Sequence, residues 1–395
     1  MIQRDRIAAS VMAQNLHGIL LTSPENVYYA TGFSPHQLTV SRIPDFAYAY
    51  LDLSGESNDI LITMDYEFPA FSDAEHLEII AYDTWVGVKS VDEWRTGREE
   101  STGGTLYSAL DRLKAFLSKE SLDNKRIGFE AASLPVRYFT ALQQALPGIK
   151  WVDISEEMIF ARSVKTVQEI ELYRRLCTSC DSALLKVAQI IQAGMSEKEL
   201  IQVYREACIH SGFLPSSWSM LGSGPNSAVL QLATDKIIQN GECVRFDGGC
   251  EAGFQFYKTD FSRTWIIGDA DPQLLRLKRV LTNAQRKMIH AVKPEMTFSE
   301  LFRIGYNDVK KHIPNYRRGH LGHSISLGPQ TADAPFISPS ETRTMEPGMI
   351  LCVEVPFYIR EYNGFNIEDM ILVTEDGCEI LTHRTPHFLP NEERG

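Results

Sequence analysis

Four carboxylates and one imidazole interrupt segments that otherwise read as buried strands or glycine-rich turns. They are Asp247 in Phe246-Asp247-Gly248-Gly249, Asp260 in Thr259-Asp260-Phe261, His323 after Gly322, Glu354 in Met349-Ile350-Leu351-Cys352-Val353-Glu354-Val355, and Glu368 in Asn366-Ile367-Glu368-Asp369. A lone carboxylate in such a strand would cost several kcal/mol. Four together are tolerable if cations share the site. Two divalent ions would balance four carboxylates in formal charge, and an oxygen-rich set with one imidazole suits Mn, Fe, Co or Zn. A dinuclear metal centre is therefore expected. The competing reading, a buried ion-pair network, has too few flanking cations in the sequence to support it.

A chain of 395 residues is long enough for two domains with separate cores, and 44% hydrophobic with 23% charged residues is ordinary for a globular protein. A net charge of −12 argues against nucleic acid or an anionic membrane as partner. The opening Met1-Ile2-Gln3-Arg4-Asp5-Arg6 leads into an amphipathic helix rather than an apolar leader, and no run approaches the roughly 18 apolar residues of a spanning helix. Seven scattered cysteines fit a reducing cytoplasm better than a disulfide framework. Cys177 and Cys180 form a C-x-x-C pair inside a helical pattern, and read as buried helix cysteines ahead of a redox or zinc pair.

Up to about residue 160, helices and strands alternate. Ile7, Val11 and Leu16 mark an opening helix ended by Gly18, and Ile19–Thr22 a short strand. Ser23-Pro24-Glu25 caps a brief helix stopped at Gly32. Further strands are expected at 47–53, 59–64, 77–82, 126–130 and 150–153, and helices at 104–118 and 134–145. This alternation predicts an α/β domain, residues 1–160, with a largely parallel sheet. From 161 to 395 two long helices, 166–193 and 196–212, precede the strands of Asp247 and Asp260. Two more, 272–292 and 297–312, precede those of His323, Glu354 and Glu368, which reads as an α+β domain.

These residues resemble the pita-bread metallohydrolases, the family of Xaa-Pro dipeptidase, aminopeptidase P, methionine aminopeptidase and creatinase, over nearly the whole chain. Thr22-Ser23-Pro24-Glu25-Asn26-Val27-Tyr28-Tyr29-Ala30-Thr31-Gly32-Phe33 is similar to the creatinase/prolidase N-terminal domain, and Ser163-Val164-Lys165-Thr166-Val167-Gln168-Glu169-Ile170 to the entry into the catalytic domain. The order Asp, Asp, His, Glu, Glu, with Arg263 after the second Asp and Val373-Thr374-Glu375-Asp376-Gly377 after the last Glu, resembles the family's ligand set. The resemblance implies two divalent ions, Mn2+ first and Fe, Co or Zn as alternatives. Asp247 would hold one, Asp260 and Glu368 would bridge both, and His323 with Glu354 would complete the other. Gly319-His320 offers a second Gly-His. The alternating Ser324-Ile325-Ser326-Leu327 and the interval to Glu354 favour His323 as ligand, which leaves His320 as a nearby polar group.

The departures concern the groups around the metals. The interval from Asp247 to Asp260 is longer than usual, which implies an insertion or bulge around Cys250 to Phe256. Gln231 and Gln330 stand where the peptidases place histidines, and Asn366 where they place an arginine. Glutamine donates a hydrogen bond but does not titrate near neutrality. Glu354, Gln231 and Gln330 are therefore the candidate catalytic residues, with His320, Tyr257, Arg263 and Asn366 as candidate substrate contacts. The pattern is similar to branches acting on small non-peptide substrates, such as ectoine hydrolase. The leading expectation is hydrolysis of an amide-type C–N bond in a small polar molecule. An Xaa-Pro dipeptidase or aminopeptidase is the alternative, followed by a metal-dependent lyase and a non-catalytic binding protein. The resemblance also implies a homodimer whose N-terminal domain closes a partner's site. Phe33 to Tyr50, with His36, Arg42, Phe46, Tyr48 and Tyr50, is the candidate lid or, more plainly, a solvated loop plus an edge strand.

Overall fold

The computed structural model describes residues 3–71, 74–97, 108–119, 124–328 and 331–393. The chain divides into two compact units, Met1–Ala161 and Arg162–Gly395.

In the first unit the strands Gly18–Leu21, Tyr48–Asp52, Ile60–Met64, Glu78–Tyr82, Arg126–Phe129 and Lys150–Asp153 form one sheet, ordered 4-3-2-1-5-6. The sheet is mixed rather than largely parallel: three pairs run parallel, but the second strand is antiparallel to both its neighbours. Only residues 53–59 join the second strand to the third, too few for the crossover a parallel pair needs. Helices Ala109–Lys119 and Val136–Ala145 accompany the sheet; positions 104–107 of the expected helix lie outside the described residues. Ser23 caps helix Pro24–Thr31 by accepting from the Asn26 amide, and Gly32, at φ +78°, ends it.

Gly18 does not stop the opening helix. That helix closes earlier, at a 3-10 turn Met12–Gln14 followed by left-handed Asn15, and Gly18 starts the first strand where a Cβ would collide with the Tyr50 ring. The segment 33–50 is not a plain loop. It holds helix His36–Ser41, and Arg42 reaches the buried Glu25 carboxylate at 2.7 Å. Tyr48 and Tyr50 lie in a strand inside the sheet, not at its edge, packed with Leu20, Ile62 and Phe129.

The second unit carries an antiparallel sheet. In spatial order its strands are Asp333–Phe336, Gly322–Ser324, Ile350–Glu354, Glu368–Val373, Phe261–Ile266, Cys243–Gly248 and Met220–Ser223, with Cys378–Ile380 also on Glu368–Val373. Helices Val167–Ile190, Glu197–His210 and Phe298–Lys310 each begin with a reciprocal capping box (Thr166 with Glu169, Ser196 with Glu199, Thr297 with Glu300), which fixes where each helix starts. Pro272–Ala291 and Phe298–Lys310 contribute Leu281, Met288, Leu301 and Phe302 to one core with Leu351, Val353 and Ile371 of the sheet. Val353 and Ile371 lie one residue from Glu354 and two from Asp369 respectively, so this core occupies the sheet face that the odd-numbered residues of these strands share. Cys177 and Cys180 are buried in their helix, and all seven cysteines are free thiols. Among the described residues no helix is long and apolar enough to cross a membrane.

Candidate metal centre

Residues directly opposite in an antiparallel ladder project to one face, as do residues two apart along a strand. Glu354 stands opposite Glu368, and Ser262 opposite both Glu368 and Asp247. His323 faces Cys352, two residues before Glu354. Asp247, His323, Glu354 and Glu368 therefore share the face away from the helical core, and Asp260 enters just ahead of its strand, two residues before Ser262. All five are 2–8% exposed. His323 Nε2 lies 3.7 Å from Asp260 Oδ2 and 3.9 Å from Glu368 Oε1. Gly322 sets this approach: its φ is +137°, and a Cβ would run into the Cys352 carbonyl.

The carboxylates are not electrostatically alike. Burial, then the charges of Asp247 and Glu354, hold the Asp260 carboxyl well above the usual range. Burial and the Asp260 charge do the same to Glu368. Asp247 is raised by burial against the opposing pull of Arg245, whose Nη1 donates to its Oδ2 at 2.7 Å. Glu354 goes the other way. Burial alone would raise it, but His320, Arg318 and His323 outweigh that and bring it down to about 2. Arg318 Nη2 lies 2.9 Å and His320 Nδ1 3.2 Å from Glu354 Oε1. Burial lowers the His323 imidazole, favouring the neutral form that binds metals.

Sequence reasoning missed both arginines, and the expectation that few cations flank the carboxylates is corrected. Arg245 was readable: it lies two residues before Asp247 in a strand, hence on the same face. It also donates to the Ser227 and Val229 carbonyls at 2.7 Å, tying down the loop that leads to half-buried Gln231. Arg318 comes from an irregular segment whose path no local pattern gives. The two arginines serve Asp247 and Glu354 only. Among the described residues no lysine or arginine pairs with Asp260 or Glu368, and buried Asp260 Oδ1 has no hydrogen-bond partner. Two uncompensated carboxylates, an orphaned oxygen and a neutral imidazole fit divalent cations.

Asn366 belongs to the cluster. Its Nδ2 donates to Glu368 Oε2 at 3.1 Å and to Asp247 Oδ2 at 3.4 Å. Arg263 does not, and its expected substrate contact is corrected. It lies three residues past Asp260, on the opposite face, where its guanidinium donates to the Asp369 carboxylate and to the Ser262, Glu368, Thr382 and Thr385 carbonyls. Tyr257 is likewise elsewhere: it is buried edge-on against Tyr173, with its hydroxyl donating to Glu169 at 2.9 Å. The hairpin between the aspartates is elaborated, with Cys250–Glu251 pairing to Leu214–Pro215 and a 3-10 turn at Gly253–Gln255. Gln330 lies outside the described residues.

Residues 171–375 match the model of metallopeptidase family M24, and residues 3–164 that of the creatinase/prolidase N-terminal domain. The chain belongs to metallopeptidase family M24. It is 27% identical to the uncharacterized peptidase YqhT of Bacillus subtilis, over 93% of this chain and 94% of that one. It is 24% identical to the Xaa-Pro dipeptidase of Pyrococcus horikoshii, over 93% of each. Among solved structures, the prolidase from Pyrococcus furiosus matches with a TM-score of 0.76 at 24% identity, covering 95% of this chain and 99% of that one. The Xaa-Pro dipeptidase from Bacillus anthracis matches at 0.80 and 22%, over 96% of each. As an M24 member the protein is a metal-dependent hydrolase with a creatinase-type N-terminal domain and a pita-bread catalytic domain.

Proposed function

We propose that this M24 enzyme binds two divalent ions in the cluster of Asp247, Asp260, His323, Glu354 and Glu368, and hydrolyses an amide-type C–N bond in a small, polar, amino-acid-like molecule. The observation that carries the metal reading is the buried pair Asp260 and Glu368, which has no arginine or lysine partner among the described residues. When bound, the ions supply Lewis acidity and an activated water.

Glu354 is the proton acceptor. Arg318 and His320 hold it as an anion facing the cluster. His320, about a third exposed, gives the accepted proton a route towards solvent. Asn366 is fixed by Asp247 and Glu368 through its amide nitrogen, while its buried Oδ1 has no partner. That oxygen would accept from a substrate N–H. Gln231 and Gln330 are proposed to orient the carbonyl, Mn2+ is the first metal to load, and a homodimer in the cytoplasm is the setting the resemblance suggests. An Xaa-Pro dipeptidase is the second reading, favoured by likeness to proteins of that name over more than nine-tenths of the chain. Comparing kcat/KM for Xaa-Pro dipeptides and for N-acyl amino acids, on metal-loaded protein, decides between the two.

A further inference from the structure

Cys352 lies at the floor of the cluster. It is fully buried, stands opposite His323 in the ladder and shares the face of Glu354, two residues on. One donor atom each from Asp260, His323, Cys352 and Glu368 lie within 4.8 Å of one another. A tetrahedral ion with metal bonds of about 2.0–2.3 Å holds its ligands roughly 3.3–3.8 Å apart, so this set would close in modestly around one ion. The thiol now donates to the Asp260 main-chain carbonyl at 3.4 Å, so it already points at a residue of the cluster. A second, independent feature belongs to the same cluster: Asp260 Oδ1 is buried and without a hydrogen-bond partner.

We propose that Cys352 is a metal ligand, which makes the two ends of the cluster chemically unequal. This rests on the metal reading above and goes beyond it. The end near Asp247 offers oxygen donors beside Arg245 and Asn366. The end near His323 offers nitrogen and sulfur with the two shared carboxylates. Thiolate and imidazole favour zinc, cobalt or iron(II), whereas carboxylates alone suit manganese. The His323–Cys352 end therefore selects one of the thiophilic ions even when Mn2+ is abundant, and the protein prefers a mixed pair. Binding releases the thiol proton to solvent, as metal capture by cysteine does generally.

Anaerobic titration of the full-length apoprotein with Co2+ tests this. Visible ligand-field bands report cobalt in the centre, and a near-ultraviolet sulfur-to-cobalt charge-transfer band reports Cys352. Wild type should show both, and Cys352→Ser should keep the first and lose the second. Ligand-field bands without the sulfur band in wild type would overturn the role of Cys352 while leaving the metal centre standing. No cobalt bands at all would overturn both. A competition between Zn2+ and Mn2+ on wild type, Cys352→Ser and Cys352→Thr gives a second readout. The preference for zinc should fall by about tenfold or more in the variants, the scale on which changes around a metal alter affinity. An unchanged ratio in a folded variant would count against the proposal.

Discussion

Glu354 and Glu368 are direct partners across two antiparallel strands, yet their carboxyls are driven in opposite directions. Both are buried. Arg318 and His320 reach Glu354, whereas the charges that act most on Glu368 are those of other carboxylates. One cross-strand pair thus supplies an anion with its own counter-charge and an anion that needs one from outside. The first is balanced by the protein itself, and the second is the one that calls for a metal in the proposed centre.

If Asp260 and Glu368 share the ions, removing one should empty most of the centre. Wild type reconstituted with Mn2+ or Zn2+ should carry about two ions per chain, from the charge balance of the carboxylates, and Asp260→Ala well under one. Elemental analysis checks this, and a wild type without transition metal would end the metal reading.

Glu354→Gln keeps the shape and the hydrogen bonds but removes the base. Its kcat should drop by roughly 10²-fold or more, the usual scale for a proton-transfer group. Metal content measured on the same sample separates loss of the base from loss of an ion. Near wild-type turnover with both ions present would show that protons move elsewhere.

The proposed specificity rests on Gln231, Gln330 and Asn366 taking the places of the peptidases' histidines and arginine. A pocket built around particular hydrogen bonds rejects analogues lacking them by factors near 10⁴. Xaa-Pro dipeptides should accordingly be poor substrates of the loaded enzyme. Values of kcat/KM at or above about 10⁴ M⁻¹s⁻¹ on a dipeptide panel would instead establish the Xaa-Pro dipeptidase reading.

Asp369, on the far side of the sheet, predicts how the fold responds to acid. Burial alone would raise its carboxyl, but Arg263, His387 and Gln285 hold it well below the usual range. A group depressed in the folded state stabilises it fully above its unfolded pKa of about 3.9, and loses that contribution as pH falls further. Wild type should therefore melt higher than Asp369→Asn at pH 7, with the gap narrowing below about pH 4. A gap independent of pH would assign the difference to packing instead.

Much of this was legible because charge in a buried strand is expensive and side chains alternate with period two. Alternation places Asp247, Glu354 and Glu368 on one face and, applied consistently, puts Arg263 on the other, since it lies three positions past Asp260. It also puts Arg245 beside Asp247. What the pattern does not hold is the path of irregular chain, so Arg318 arriving at Glu354 was invisible. Gly18 misled for a similar reason: a glycine after a helical pattern reads as a stop, and only the tertiary neighbour Tyr50 explains its need for no side chain. The mixed sheet of the first unit was readable from the short 53–59 link, and the alternation of helices and strands obscured it.

The five proposed ligands come from strands spread between residues 247 and 368. Asp247 and Asp260 share one hairpin and Glu354 and Glu368 lie on neighbouring strands, but these two pairs meet only after the long intervening stretch that carries His323 has folded back. Such non-local pairing forms late and slowly. A growing or refolding chain therefore lacks the complete set of donors until the sheet has closed from Cys243–Gly248 to Gly322–Ser324. An ion that binds only the finished arrangement cannot hasten its assembly. Bound as proposed, it would act as a latch, slowing unfolding and leaving the folding rate unchanged.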